Sequence, residues 1–220
     1  MNMDFEAERK RLVEYISGFA ITSDGIKKAV SEVKRENFLS ENLKQHAYDD
    51  NAAPIGYGQT ISQPSTITVM LELLGVKNGM TVLEVGSGSG YVLALLSKLV
   101  GKEGKVYGIE YLKELAEASK ENLKKEKIEN VKVKQGDGSL GWEKEEFDRI
   151  LISCACPFIP KTLFDQLKEK GRIVAPVGDP GTQVLEILMK EKGKPFKKSY
   201  EGSLYTFVPL KGKHGYSTNL

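Results

Sequence analysis

The sequence predicts an α/β fold: a doubly wound, mostly parallel sheet with helices on both faces, an N-terminal helical cap and an antiparallel edge pair near the C-terminal side. Three observations predict it. From residue 80 to 136, strand-length apolar runs alternate with helix-length amphipathic ones, the rhythm of right-handed βαβ units. The first of these runs, VLEV at 82–85, breaks into the alternating glycines Gly86, Gly88 and Gly90 and resumes as an apolar helical stretch at 91–100. Glu110 closes the next strand twenty positions after Gly90. That places an acidic side chain at the carboxyl end of a strand, where open parallel sheets take their ligands.

Taken in order, residues 5–16 set Phe5, Leu12, Val13 and Ile16 at roughly helical spacing, and residues 23–33 repeat the pattern behind Ser23 or Asp24 as a cap. Both read as amphipathic helices without a chemical motif. Residues 37–50 are polar, punctuated by Phe38, Leu39 and Leu43. We therefore expect residues 1–50 to form a helical cap on a core spanning 51–220, the whole making one domain. Residues 49–64, DDNAAPIGYGQTISQP, are dense in turn formers, hydroxyls and amides, and lead into an apolar run of helical spacing at 67–74. Pro64 suits the first turn of that helix, and Ser62 or Gln63 its cap. Ser62 is thus either a helix cap or, in a loop one helix ahead of the glycines, a ligand contact.

Strands are expected at 80–85, 105–110, 131–136 and 148–153, with helices at 91–100 and 112–125 between the first three. The glycines allow a sharp turn and a close approach of ligand to backbone, and the helix start beyond them offers unpaired N–H groups. A dinucleotide fingerprint would need its third glycine at 91, which is Tyr91. The G-x-G-x-G form is the one common in S-adenosylmethionine methyltransferases, which have Rossmann-like sheets. Glu110 lies at the separation from which a carboxylate accepts hydrogen bonds from both ribose hydroxyls. Asp137, between Gly136 and Gly138, either stabilises a turn or contacts the adenine end of a nucleotide. The fourth strand ends in Cys154-Ala155-Cys156-Pro157, a loop of small residues that suits the close passage of another molecule. A helix at 161–168 and a strand at 172–177 follow. Residues 183–190 and 204–210 read as the antiparallel edge pair, bridged by a lysine-rich turn around Gly193 and Pro195.

Composition excludes several classes. The 220 residues can bury a full core. With 32 Lys+Arg against 30 Asp+Glu, the net charge of +2 gives no electrostatic reason to expect nucleic acid or membrane as the main partner. No apolar segment approaches the about eighteen residues of a membrane span, and the charged start MNMDFEAERKR lacks the apolar centre of a secretory signal. A cytoplasmic protein is expected. Cys154 and Cys156, one residue apart, suit free thiols better than a disulfide. Beside them stand only His46 and His214, far apart in sequence, so no metal site is expected.

The run at 54–64, PIGYGQTISQP, resembles the pre-glycine motif of the protein-L-isoaspartate(D-aspartate) O-methyltransferases. The stretches 82–91, 136–142 (GDGSLGW), 147–150, 155–160, 163–177 and 207–210 (FVPL) are similar to the same family in the same order, so the resemblance spans about residues 45–212. It implies an enzyme that transfers a methyl group from S-adenosyl-L-methionine to the free carboxylate of L-isoaspartyl residues in damaged proteins, with D-aspartyl residues left open. S-adenosyl-L-homocysteine is the implied product, and the methyl ester closes to a succinimide that starts repair. The resemblance sets Thr60 and Ser62 at the methyl-transfer site, and Gln59, Ser62, Cys154 and Ala155 against the substrate. It sets Ile61, Glu84, Gly86, Ser87, Gly88, Glu110, Tyr111, Asp137 and Gly138 around the cofactor. Cys154 and Cys156 stand where the family more often has alanine or threonine, and the tail at 214–220 departs from the family pattern.

The chemistry suits this inventory. A carboxylate with a reference pKa of about 4 is ionised at neutral pH, so its methylation needs no general base. It needs orientation and desolvation without a full countercharge. Two other readings share the glycine loop. A methyltransferase acting on another acceptor such as tRNA should carry a stronger basic face. A non-catalytic binding protein would have no need of the Thr60-Ile61-Ser62 loop.

Overall fold

The computed structural model describes residues 3–20 and 22–216; residues 217–220 of the tail set apart above lie outside the described residues. The chain opens with α1 (Phe5–Ser17), whose N-cap Asp4 accepts hydrogen bonds from the Glu6 and Ala7 N–H groups, both at 3.1 Å. Leu12 and Ile16 are its buried face. Helix α2 (Asp24–Glu32) buries Ile26, Ala29 and Val30. Ser23 stands at its N-cap but makes no side-chain cap bond, and its N–H donates instead to Glu72 at 2.7 Å. The polar stretch that follows forms two short 3-10 turns, Arg35–Phe38 and Glu41–His46.

A hairpin of β1 (Ala53–Gly56) and β2 (Gln59–Ile61) comes next, turned through Tyr57 and Gly58. It leads into α3 (Pro64–Leu74), with Pro64 in the first turn as expected. Neither candidate cap serves there: Gln63 occupies the N-cap position without a side-chain cap bond. The role falls to Asp50, whose Oδ1 accepts the Ser65 N–H at 2.8 Å and whose Oδ2 accepts from Gln63 Nε2 at 3.0 Å. Ser62 is thereby released from capping.

The core alternates as its sequence predicts: β3 (Thr81–Val85), α4 (Tyr91–Val100), β4 (Lys105–Glu110), α5 (Lys113–Lys125), β5 (Val131–Gln135) and β6 (Phe147–Ile152). Helix α6 (Lys161–Asp165) precedes β7 (Leu167–Asp179), β8 (Thr182–Glu191) and β9 (Lys194–Ser199). The seven strands from β3 onward form one sheet in the order β5-β4-β3-β6-β7-β8-β9. Strands β5 to β7 in that order are mutually parallel, and β8 and β9 are antiparallel to their neighbours. Strand β3 is buried on both faces: Val82 belongs to one apolar cluster with Leu93 and Leu96, Leu83 and Val85 to another with Phe147 and Ile150. The chain order reverses across β3, between β4 and β6, which makes its carboxyl end the switch point of the sheet.

Two expected elements are corrected. Residues 204–210 are not a strand of the edge pair. They form a strap held by single bridges, Tyr205 to Gln183 of β8 and Pro209 to Ala155 in the loop after β6. The partner of β8 is β9, read from sequence as a turn because all six of its residues are exposed and include Pro195 and three lysines. Such residues are what an edge strand uses to discourage further pairing. The helix expected over 161–168 ends at Asp165, because Leu167 already pairs with Phe147 as the first residue of β7.

Candidate active site

The turn after β3 is braced from β4. The Gly86 and Ser87 N–H groups both donate to the Ile109 carbonyl, at 2.8 and 3.2 Å, and the Gly88 N–H donates to Glu110 Oε2 at 2.8 Å. Glu110 Oε1 accepts from the Leu112 N–H at 3.0 Å. Gly90 adopts φ +92°, and a Cβ there would lie 2.6 Å from Ser119 Oγ, so α4 can start this close to α5 only from a glycine. At Gly88, φ is +53° and a Cβ would lie 3.1 Å from Ile55 Cδ1. The hairpin therefore rests directly on the glycine turn.

Two adjoining cavities open on either side of that contact and share Ile55, Thr60, Gly86, Gly88 and Ser153 in their walls. The larger adds Gln59, Glu110, Tyr111, Gly138 and Cys154, and is closed by strap residues 208–211. The smaller adds Ile61, Ser62, Glu84, Ser87, Ser89 and Tyr91. Its wall holds three buried polar atoms without a hydrogen-bond partner: Glu84 Oε2, Ser87 Oγ and Ser89 Oγ. Buried polar atoms are almost always satisfied. Three around one cavity, one of them a carboxylate oxygen, match a polar ligand with a positively charged group.

Glu84 is 1% exposed, and its other oxygen accepts from Ser153 Oγ at 2.7 Å. Burial pushes its carboxyl up to about 8; the Ser153 hydrogen bond opposes the shift and the charge of Glu110 adds to it. Asp137 behaves in the opposite way. Burial would raise its pKa, but hydrogen bonds from the Lys213 N–H (2.7 Å) and from Ser139 (N–H 2.9 Å, Oγ 2.7 Å) outweigh that and hold it below its ordinary value. Both cysteines are free and buried. Burial pushes the Cys154 thiol well up and that of Cys156 to about 12, which leaves both protonated and unreactive at neutral pH.

The cavities thus gather Gln59, Thr60, Ile61, Ser62, Glu84, Gly86, Ser87, Gly88, Glu110, Tyr111, Gly138 and Cys154. Asp137 and Ala155 are not in those walls. The Asp137 carboxylate grips the strap's far end, where the His214 N–H also donates to Ser139 Oγ at 3.1 Å. Ala155 is 1% exposed, its N–H donated to the Val208 carbonyl at 2.8 Å and its carbonyl accepting from Leu210 at 2.7 Å. The small residues of that loop accommodate the passage of the strap, another part of the same chain. Ile55, Ser89, Ser153 and strap residues 208, 209 and 211 are wall residues that sequence reasoning missed. Ile55 lies in the 54–64 motif, Ser89 in the glycine stretch at 82–91 and residues 208 and 209 in FVPL, whereas no motif marked residue 211 and Ser153 was read only as the end of a strand. Among the described residues no group of three or more His, Cys, Asp or Glu side chains is arranged to hold a metal ion, and no helix is long and apolar enough to cross a membrane.

Comparison with known proteins agrees with this geometry. A sequence model of the protein-L-isoaspartate(D-aspartate) O-methyltransferases matches residues 7–215. The chain is 45% identical to protein-L-isoaspartate O-methyltransferase 2 of Archaeoglobus fulgidus, over 98% of each chain. It is 42% identical to the Petrotoga mobilis protein-L-isoaspartate O-methyltransferase, over 97% of this chain and all of the relative. Among solved structures, a protein-L-isoaspartate O-methyltransferase superposes with a TM-score of 0.84 at 32% identity, covering 94% of this chain and 67% of the other. A Plasmodium falciparum protein described under the same activity, in complex with S-adenosyl-L-homocysteine, superposes with a TM-score of 0.80 at 27% identity, covering 96% and 99%. On a sequence match from residue 7 to 215 and a shared fold, the chain belongs to the protein-L-isoaspartate(D-aspartate) O-methyltransferase family.

Proposed function

We propose that this chain transfers a methyl group from S-adenosyl-L-methionine to the free carboxylate of L-isoaspartyl residues in peptides and proteins, working as one domain in the cytoplasm. The observation that carries the reading is the meeting of Thr60 and Ser62 with the unpartnered oxygens Glu84 Oε2, Ser87 Oγ and Ser89 Oγ in the wall of one cavity, in a chain of this family. The cofactor, when bound, supplies an electrophilic methyl group on a positively charged sulfur. Glu84 Oε2 suits an ammonium group, and Ser87 and the turn at 86–88 suit the carboxylate beside it. Glu110 offers acceptors to ribose hydroxyls, and Tyr111 and Gly138 flank the space for the adenine. Asp137 acts there through the strap.

On the acceptor side, Thr60 and Ser62 offer hydroxyls that orient a carboxylate without neutralising it, which preserves its nucleophilicity. Ile55 and Ile61 exclude water from the same space, and desolvation sharpens the attack. Gln59 and Cys154 both line the wall, the first offering an amide and the second a small apolar surface. The deciding experiment is transfer of radiolabelled methyl from S-adenosylmethionine to an isoaspartyl peptide beside its normal aspartyl twin. Label on the isoaspartyl peptide alone is expected; label on both, or on neither, overturns the proposal. Ser62→Ala is expected to lower turnover while S-adenosylhomocysteine affinity is nearly kept, and an unchanged rate would reject a role for that hydroxyl.

A further inference from the structure

The acceptor loop is held from beneath by a cation that the chemistry above does not use. Arg35 begins the first 3-10 turn of the cap and is wholly buried, 0% exposed. Its Nη2 donates to the Ser62 carbonyl at 3.1 Å and reaches that of Asn51 at 3.5 Å. Its guanidinium carbon lies 4.9 Å from the centre of the Tyr91 ring, and Tyr91 is the first residue of α4 after the glycine turn. Nε and Nη1 have no hydrogen-bond partner.

Burying a cation with two donors unmade carries a desolvation cost, which its bonds to the Ser62 and Asn51 carbonyls and its contact with the Tyr91 ring offset in part. Beside its interaction with the Tyr91 side chain, Arg35 makes its shortest hydrogen bond to the backbone of Ser62, a residue that lines the smaller cavity. A guanidinium stacked on an aromatic face gains attraction without a carboxylate, so the negative charge nearby is not drawn away from the loop. Asp50 is that charge, and it is engaged with the Ser65 N–H and Gln63 Nε2. Residues 62–65 are thus fixed at three points, one by Arg35 and two by Asp50.

We propose that Arg35 is a positioning residue for methyl transfer: stacked on Tyr91 and donating to the Ser62 carbonyl, it sets the Ser62 peptide plane, and with it the hydroxyl, relative to the glycine turn. The inference rests on the reading of Ser62 as an acceptor-side residue. Loss of the guanidinium leaves the cofactor's own contacts in place and lets the acceptor loop drift. A displacement of about 1 Å at a reacting centre can cost on the order of 100-fold in rate.

The test compares Arg35→Met, Arg35→Lys and Ser62→Ala in steady-state methylation of an isoaspartyl peptide, well below each variant's melting temperature. Active sites are counted by calorimetric titration with S-adenosylhomocysteine. Arg35→Met is expected to lower kcat per binding-competent site by roughly 10- to 100-fold, with S-adenosylhomocysteine affinity changed much less, and Arg35→Lys to recover part of it. A purely structural role would lower the melting temperature and the number of competent sites while kcat per site stayed normal, and that result overturns the proposal. Should Arg35→Met fail to fold, Arg35→Lys is combined with Ser62→Ala: a double variant no slower than Ser62→Ala supports action through Ser62, and multiplying losses overturn it. A normal rate in Ser62→Ala sinks the reading of that hydroxyl and this proposal with it. A slow Ser62→Ala beside a normal Arg35→Met sinks the proposal alone.

Discussion

Replacing Glu84 with glutamine should change how the stability of the protein depends on pH. In the folded chain the carboxyl is buried and keeps its proton up to about pH 8, whereas in the unfolded chain it titrates near 4.5. Between these values the unfolded state releases a proton that the folded state retains, so stability falls as pH rises through the window and levels off above it. Beside burial, the hydrogen bond from Ser153 Oγ lowers the Glu84 pKa and the charge of Glu110 raises it. Between pH 5 and pH 7 the difference integrates to roughly 2–3 kcal/mol, at about 1.4 kcal/mol per pKa unit. Glu84→Gln keeps an acceptor for Ser153 Oγ and cannot ionise. Its constant cost or gain cancels in a comparison across pH, and the difference in stability, variant minus parent, should rise by roughly 2–3 kcal/mol from pH 5 to pH 7. Urea unfolding of both proteins at a series of pH values measures this directly, and parallel curves would refute the reasoning. The same argument extends to binding. An ammonium group docked on Glu84 favours the carboxylate, so S-adenosylhomocysteine binding at pH 7 should release close to one proton. Calorimetry in buffers of different ionisation enthalpy reads that number, and the release should vanish in Glu84→Gln.

Glu110→Gln should weaken S-adenosylhomocysteine binding by about 10-fold or more, the worth of a hydrogen bond to a charged group, as read by titration calorimetry. Unchanged affinity would mean that the carboxylate serves only to brace the Gly88 and Leu112 N–H groups. Asp137→Ala should free the far end of the strap, seen as faster amide hydrogen exchange at Lys213 and His214 than in the parent. Because its pKa is held below the ordinary 3.8, the grip is fully present above that pH and is lost as the pH falls further. Exchange protection at Lys213 should therefore weaken at strongly acid pH in the parent and be absent at all pH values in the variant.

Much of this architecture is legible in the residues because buried parallel strands leave a strong trace. VLEV at 82–85 and the apolar run of β6 are covered on both faces, and the carboxyl ends of β3 and β4 bring the glycine turn and Glu110 together. What escaped was governed by contacts distant in sequence. β9 hides behind Lys194, Pro195 and two further lysines because an edge strand is selected against looking like a strand. The hairpin of β1 and β2 spans only residues 53–61 with its turn and holds two glycines, too short for any periodicity to register. Asp137 between glycines pointed to a ligand or a turn; it accepts from Ser139 within the turn, and its other partner, the Lys213 N–H, lies 76 positions away, where no local pattern announces it. Arg35 sits 27 positions from Ser62 in a polar segment with no motif, and only the packing of the cap reveals its target.

The strap has a consequence for the order in which the protein comes into being. Every strand of the sheet, the hairpin and the glycine turn lie ahead of residue 200, but the wall of the larger cavity is finished by residues 208–211. A ribosome releases chain from the N-terminal side at a few residues per second, and earlier segments can fold while later ones are still being made. The strap therefore completes a site whose sheet, hairpin and glycine turn are all encoded ahead of it, and a change confined to residues 208–211 alters the wall of the larger cavity without touching a strand.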